Sequence, residues 1–309
     1  MSYICSVCHK VYDPATLVWR CECRGLLDLQ AFASNFSSDK INKEPATMWR
    51  YKEALPFQEN GDAWKSVTMG EGFTPIVPLN GAESSVLLKL DYLMPTLSFK
   101  DRGAAVLVAK AKELGVTKLV ADSSGNAGTS IAAYGNRAGI DCHIYVPEST
   151  SPKKIKQIRG HGAIVHTVPG DREDTAEAAK RAVDEGNMFY ASHVYNPYFY
   201  QGTKTYAFEI WEQMNGDLPE VVVVPVGNGT LLLGVYYGFK ELSDLGLIDK
   251  IPRILAIQSE RCAPLALAFQ NELEMAEPVV NKGTAAEGIS IVNPPGAVKF
   301  WLLFVKRAA

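Results

Sequence analysis

The stretch KLVADSSGNAG, residues 118–128, passes from a short β-branched run into a turn of Ser, Gly and Asn and then into a small-residue helix start. That order, strand then glycine turn then helix, is the repeating step of an α/β fold. Working outward, similar short runs occur at Ser85–Leu90, Cys142–Val146, Ile164–Val168, Val221–Pro225 and Arg253–Gln258. Helical intervals follow Gly125, Ser151, Asp171, Gly202 and Thr230. Ala104, Leu107, Val108 and Ala111 fall at i, i+3, i+4 and i+7, one face of a further helix. The pattern predicts open, mostly parallel sheets with at least five βα steps. A second glycine turn, PVGNGT at 225–230, has the same position after a strand. At the carboxyl ends of parallel strands such turns gather backbone N–H groups into anion sites. Neither turn has the G-x-G-x-x-G spacing of a dinucleotide site, and no Gly-Lys-Ser/Thr follows, so nicotinamide and NTPase chemistry are disfavoured.

The chain has 309 residues, 47% of them hydrophobic, which is enough for one or two packed domains. Lys and Arg number 31 against 34 Asp and Glu, so no global positive field attracts nucleic acid or anionic lipid. The N-terminus lacks the features of a secretory signal, so a cytoplasmic protein with reduced thiols is expected. Residues 221–239 carry no charge, but Pro225, Asn228 and four glycines divide them into strand, loop and helix start, against a membrane span.

Lys100, in LSFKDRG at 97–103, stands where the first long helix begins, where a cation opposes the helix dipole. A neighbouring cation and desolvation would lower its pKa and suit it to Schiff-base or general-base chemistry. The alternative is a solvated lysine paired with Asp101. Near the N-terminus, Cys5-x2-Cys8 and Cys21-x-Cys23 place four thiols within 19 residues, a set that could hold structural zinc. His9 is a substitute ligand, and a metal-free hairpin with surface thiols is the other reading. Cys142 and Cys262 read as packing residues, as do His143, His161 and His166 as packing or surface residues.

SFKDRG, SSGNAG, SHVYNPYFYQGTKT (192–205) and PVGNG, in this order and spacing, resemble the fold-type II pyridoxal-phosphate enzymes, and within them the threonine synthase branch. GEGFTP (70–75), QSERCAPL (258–265), EGI (287–289) and the cysteine module extend the resemblance from Tyr3 to Val292. The Ala after Asn126 separates the motif from threonine dehydratases, which tend to have His there, and from cysteine synthases, which tend to have Thr. The resemblance implies a two-domain α/β fold: a zinc-ribbon-like cysteine module at 1–29, a larger cofactor domain from 30–95 and 205–309, and a smaller domain at 96–204. It implies pyridoxal 5'-phosphate on Lys100 as a Schiff base, with Lys100 also shuttling protons. Asn126 would meet the ring 3′-oxygen, and Gly227, Asn228, Gly229 and Thr230 would cradle the cofactor phosphate. Ser123, Ser124 and Gly125 would take the substrate carboxylate, and Thr74, Lys153, Lys154 and Lys204 are candidates near a substrate anion. Cys5, Cys8, Cys21 and Cys23 would hold zinc. A homodimer acting on a small amino acid is expected, with neither nucleic acid nor membrane as partner.

The implied reaction converts O-phosphohomoserine and water to threonine and phosphate. Two features depart from that pattern. Phe199 stands where phosphohomoserine-using members usually carry an arginine, and Thr203 where they carry Gln; phenylalanine cannot replace a bidentate phosphate ligand. The chain also ends at Ala309, several tens of residues before family members usually finish, where the family supplies a Ser or Thr hydroxyl to the pyridine nitrogen. Alternatives are β-replacement of the cysteate or cysteine synthase kind, threonine or serine ammonia-lyase chemistry, a catalytically silent cofactor-binding homologue, and an adaptor built on the cysteine module. His193, inside the family-like stretch, is a further catalytic candidate.

Overall fold

A computed structural model describes residues 2–30, 34, 36–41, 45–58, 61–81, 84–273 and 275–294. The chain divides into two compact units, Met1–Gly202 and Thr203–Ala309.

The first unit opens with three short strands, β1 (Tyr3–Cys5), β2 (Val11–Tyr12) and β3 (Leu27–Leu29), in the antiparallel order β2-β1-β3. A hairpin follows, β4 (Ile76–Pro78) with β5 (Leu87–Lys89). The run at 85–90 therefore forms an antiparallel hairpin strand and does not join the parallel sheet. That sheet is built by β6 (Lys118–Ala121), β7 (Asp141–Pro147), β8 (Ile164–Val168) and β9 (Phe189–Tyr190), in the order β8-β7-β6-β9 with every pair parallel. Helices α1 (Lys100–Glu113), α2 (Asn126–Arg137), α3 (Pro152–Gly160), α4 (Arg172–Gly186) and α5 (Pro197–Thr203) complete the series.

Period-two alternation assigns each sheet face. Leu119, Ala121, Cys142, Ile144 and Val146 join the core cluster that contains α1 and the buried residues of α2. Val120 and Tyr190 face the other way, onto Ala179 and Val183 of α4. The predicted face of α1 is buried, and so are Ala105, Val106 and Ala109, because other elements enclose this helix on several sides. A capping box from Asp171 and Asp174 starts α4, and Ser151 followed by Pro152 starts α3. His143 and His166 stack on adjacent strands, half-buried, with ring nitrogens 3.0 Å apart.

The sequence reading joins residues 30–95 to 205–309, whereas chain contacts group residues 30–95 with the first unit. Met48, Trp49, Leu55 and Val67 belong to the same apolar cluster as α1.

The second unit contains α6 (Thr205–Gln213), β10 (Val221–Pro225), α7 (Thr230–Asp244), β11 (Arg253–Ile257) and α8 (Pro264–Gln270), with β10 and β11 parallel. Gly234 and Gly238 let α7 approach closely, since a Cβ at either would collide with Thr203 or the Lys204 carbonyl. The uncharged run at 221–239 is thus β10, a loop and part of α7. Among the described residues no helix is long and apolar enough to cross a membrane.

Candidate active site

Lys100 is the first residue of α1 and is half-buried. Its Nζ lies 4.7 Å from the Phe99 ring centroid and 5.6 Å from that of Phe199. Desolvation, with the Arg172 guanidinium adding repulsion, lowers its pKa to about 7. The two residues that follow anchor the helix start. Asp101 is fully buried; its carboxylate accepts from the Thr96 backbone N–H at 2.6 Å, from the Thr96 hydroxyl, and from Ser130 Oγ of α2 at 2.7 Å. Arg102 is also fully buried and donates through Nε and Nη2 to Asp91, both at 2.8 Å. The sequence alternative of Lys100 paired to Asp101 is therefore replaced by an Asp101 committed to Thr96 and Ser130.

A neutral amine is what attacks an aldehyde, and with a pKa of about 7 the neutral fraction falls as pH falls through that value. Capture of pyridoxal phosphate by cofactor-free protein should therefore be nearly maximal at pH 8 and drop about tenfold by pH 6. Stopped-flow absorbance at several pH values checks this; a midpoint near the ordinary lysine value would refute it.

The SSGNAG turn lies just beyond β6. Ser123 and Ser124 are half-buried, while Gly125 and Asn126 are exposed at the start of α2. Gly128 is required here, because a Cβ would collide with the Ser123 carbonyl. The Asp101–Ser130 bond ties the first turn of α1 to the second turn of α2. Lys100 and the Ser123–Asn126 turn are thereby held at neighbouring helix starts. The residues after β6, β8 and β9 share the carboxyl edge of one parallel sheet, the usual ligand edge of such sheets.

The same edge carries Arg172, which sequence reasoning did not single out, together with His193 and Phe199, which it did. Arg172 is exposed at the start of α4, and its charge acts on Lys100, Asp122 and His193 alike. Only its place after a strand-ending glycine could have signalled it. His193 packs edge-on against Phe199 at 5.9 Å, and burial with the Lys100 and Arg172 charges holds it well below the ordinary histidine pKa, hence neutral. Phe199 is fully buried against Gly103, where a Cβ would strike its ring.

Other predicted residues are engaged elsewhere. The Thr74 hydroxyl donates to Asp91 at 2.7 Å and accepts from Arg102 at 3.4 Å, so it stabilises the GEGFTP loop. Lys153 and Lys154 are exposed in the first turn of α3. In the second unit, Lys204 is buried and paired with Glu241 at 2.6 Å, which commits its charge inside the helix packing. There, Gly229 takes the left-handed conformation, φ 81°, at the N-terminus of α7. Gly227 lies under Gly288 and Ile289, where a Cβ would be 3.1 Å from the Ile289 Cα. Asn228 and Thr230 are buried, and the Thr230 carbonyl accepts from the Thr203 hydroxyl at 3.1 Å.

The four N-terminal cysteines converge, with all sulfurs within 4.8 Å of one another. Cys5 and Cys23 sulfurs are 3.5 Å apart, and Cys8 and Cys21 3.4 Å. A tetrahedral zinc with bonds of about 2.3 Å needs sulfurs about 3.8 Å apart, so the set fits. His9 and Arg24, each following a cysteine pair, take positive φ and turn the chain back. Gly25 makes room for Cys5 Sγ, which a Cβ would approach to 2.6 Å. Backbone N–H groups of Val7 and Cys8 point at Cys5 Sγ, and the Tyr12 hydroxyl helps draw Cys21 down to about 6. His9 is exposed and outside the cluster.

Residues 67–306 match the family model described as pyridoxal-phosphate dependent enzyme. This chain belongs to that family. It is 36% identical over 305 residues to the threonine synthase of Methanocaldococcus jannaschii, covering 96% of this chain and 74% of that protein. To the threonine synthase of Methanosarcina acetivorans it is 33% identical, with the same coverages. To that of Mycobacterium tuberculosis it is 35% identical over 81% of this chain and 68% of that protein. Maize serine racemase shares its fold, with a TM-score of 0.64 at 20% identity over 74% of this chain and 68% of that one. The fold is therefore that of fold-type II pyridoxal-phosphate enzymes, as the motifs imply, and this pyridoxal-phosphate-dependent enzyme is threonine synthase-like. Its residues suit the cofactor: Lys100 offers an amine of which about half is neutral at pH 7, and open space surrounds Gly125 and Gly229.

Proposed function

We propose that this pyridoxal-phosphate enzyme carries out elimination and replacement on an amino acid with an anionic leaving group, converting O-phosphohomoserine and water to threonine and phosphate. The observation that carries the reading is the lowered pKa of Lys100 at the start of α1, tied to α2 and its SSGNAG turn by the Asp101–Ser130 bond, in a chain 33–36% identical to two threonine synthases over 96% of its length. When bound, the cofactor supplies an electron sink for charge developing on substrate carbon. Lys100 binds it and, once released, accepts and returns protons through Nζ. The Ser123 and Ser124 side chains and the N–H groups at the start of α2 bind the substrate carboxylate, and Asn126 orients the cofactor ring. Within its own unit, the Gly227–Thr230 turn presents backbone N–H groups at the start of α7, a setting suited to the cofactor phosphate. Neutral His193 and the Phe199 ring exclude water beside Lys100.

Arg172 supplies the cation for the substrate's leaving group in this reading, because position 199 is an apolar floor. Arg172→Ala should raise KM for O-phosphohomoserine about 10- to 100-fold, the equivalent of about 1.5–3 kcal/mol for a charged hydrogen bond. Steady-state phosphate release measures it, and an unchanged KM would remove Arg172 from the site.

The function is tested by borohydride reduction of cofactor-loaded protein with mapping of the labelled lysine, followed by assays on three substrates. Label on Lys100 and phosphate release from O-phosphohomoserine support it. Turnover of threonine or serine alone to a keto acid would replace it with ammonia-lyase chemistry. Phe199 gives a second reading its footing: turnover of O-phosphoserine with sulfite or sulfide would mean β-replacement. Label without turnover of any of the three would favour the silent homologue.

The same proposal gives Cys5, Cys8, Cys21 and Cys23 to structural zinc, with no open ligand position for substrate. One zinc per chain is expected by atomic emission, and Cys8→Ser should lose it. A cytoplasmic homodimer is part of the same reading, with light scattering as its check.

A further inference from the structure

Trp19 stands two residues before Cys21 in the cysteine module and is buried. Its indole N–H donates to Asp184 of α4 at 2.9 Å, and the Arg20 guanidinium lies 4.3 Å from its ring. The ring meets Tyr190 edge-on at 5.1 Å and Tyr195 edge-on at 5.3 Å. Tyr190 closes β9, is 2% exposed, and donates through its hydroxyl to Asp122 Oδ1 at 2.8 Å. Asp122 is the first residue beyond β6 and directly precedes Ser123, Ser124 and Gly125. The module is thus linked to the SSGNAG turn by consecutive contacts, all inside the first unit.

Two features distinguish this chain from ordinary packing. Asp122 draws its side-chain partner from 68 residues away, on the neighbouring strand β9, although a turn aspartate usually bonds the N–H groups that follow it. Inside the turn, the Gly125 N–H to Ser123 Oγ bond is long, at 3.4 Å, and the Gly125 carbonyl accepts from the Thr129 N–H at 3.1 Å and the Thr129 hydroxyl at 3.3 Å, so these local bonds hold the end of the turn next to α2 and not Asp122 at its start. Burial and the adjacent carboxylate keep the Tyr190 phenol protonated, so it remains a donor to Asp122.

We propose that the cysteine module positions the substrate-binding turn: Trp19 seats Tyr190, and the Tyr190 hydroxyl fixes Asp122, so that Ser123–Gly125 is presented in its binding geometry. Trp19, Tyr190 and Asp122 are positioning residues. Their role deepens the function proposed above and rests on it for the identity of the ligand, a free amino-acid carboxylate.

The test uses the cofactor-loaded full chain and Tyr190→Phe, which removes one hydroxyl and keeps the ring stack. The expected result is KM for O-phosphohomoserine up about tenfold with kcat within about twofold, as for one lost hydrogen bond to a charged group. Borohydride labelling of Lys100 should be unchanged. Amide hydrogen exchange at residues 122–126 should quicken several-fold in Tyr190→Phe and in Trp19→Leu, while β7 stays protected. Adding Asp122→Asn to Tyr190→Phe should cost little more, since both changes break one bond. Exchange at 122–126 equal to wild type overturns the proposal, as does a lowered melting temperature with KM unmoved, the mark of mere packing. If wild-type Lys100 takes no label, the proposed function fails instead, and the exchange measurement, which needs no substrate, still decides the positioning chain. Should Trp19→Leu fail to fold, Tyr190→Phe decides alone.

Discussion

Lys100→Ala is expected to abolish turnover, by on the order of 10³-fold or more, and to leave no reducible cofactor adduct on the chain. Proton transfer by a positioned side chain accounts for roughly 10²–10⁴ of an enzyme's rate, and here the same amine also holds the cofactor. The fold should survive, because Lys100 makes neither the Asp101–Ser130 bond nor the Arg102–Asp91 pair that secure the start of α1. Circular dichroism, borohydride labelling and phosphate release together measure the outcome. Residual turnover within about tenfold of wild type would refute the assignment of Lys100. Lys100→Arg should fare no better, since a guanidinium is always charged and cannot act as the neutral amine.

Glu71→Ala should produce the largest loss of stability, about 3–5 kcal/mol. Glu71 is fully buried, and its carboxylate accepts from Trp49 Nε1 at 2.5 Å, the Met69 backbone N–H at 2.8 Å, the Tyr134 hydroxyl at 3.1 Å and Thr68 Oγ1 at 3.2 Å. Removing the acceptor strands several buried donors, each costing about 1–3 kcal/mol, with partial relief as water enters. Glu71→Gln keeps the shape but points an N–H2 at donors, and should cost about 1–3 kcal/mol. Urea unfolding at constant slope measures both. A loss under about 1 kcal/mol for Glu71→Ala would mean that this carboxylate does not hold the GEGFTP loop to α2.

The elements of the parallel sheet were legible because period-two alternation and glycine turns are local properties. Ile164–Val168 and Val221–Pro225 match β8 and β10, and the predicted runs Lys118–Asp122, Cys142–Val146 and Arg253–Gln258 differ from β6, β7 and β11 by a residue at one or both ends. Two-residue β9 was not legible, since Phe189 and Tyr190 alone carry no period, and only pairing with β6 makes them a strand. The hairpin role of residues 87–89 was equally hidden, because the partner, β4, is itself only three residues long.

Within the candidate site, Lys100, the SSGNAG and PVGNGT turns and the four cysteines were readable as motifs, because their chemistry depends on residue type and spacing along one short segment. Thr74 and Lys204 were readable as polar side chains but not as engaged ones. Their partners, Asp91 with Arg102 and Glu241, are distant in sequence, and no local rule couples them. Arg172 and the Trp19–Tyr190–Asp122 chain escaped notice for the same reason.

The sequence by itself determined the α/β class and most helix starts, fixed by local periodicity and turn chemistry, and it marked Lys100 and the four N-terminal cysteines as candidates, the first through the family resemblance of its motif and the second through thiol spacing. Only the tertiary structure decided which charges are spent on each other, how far burial lowers the Lys100 amine, and what holds the SSGNAG turn. Those depend on desolvation and on contacts between residues tens of positions apart, which packing creates and a linear pattern does not contain.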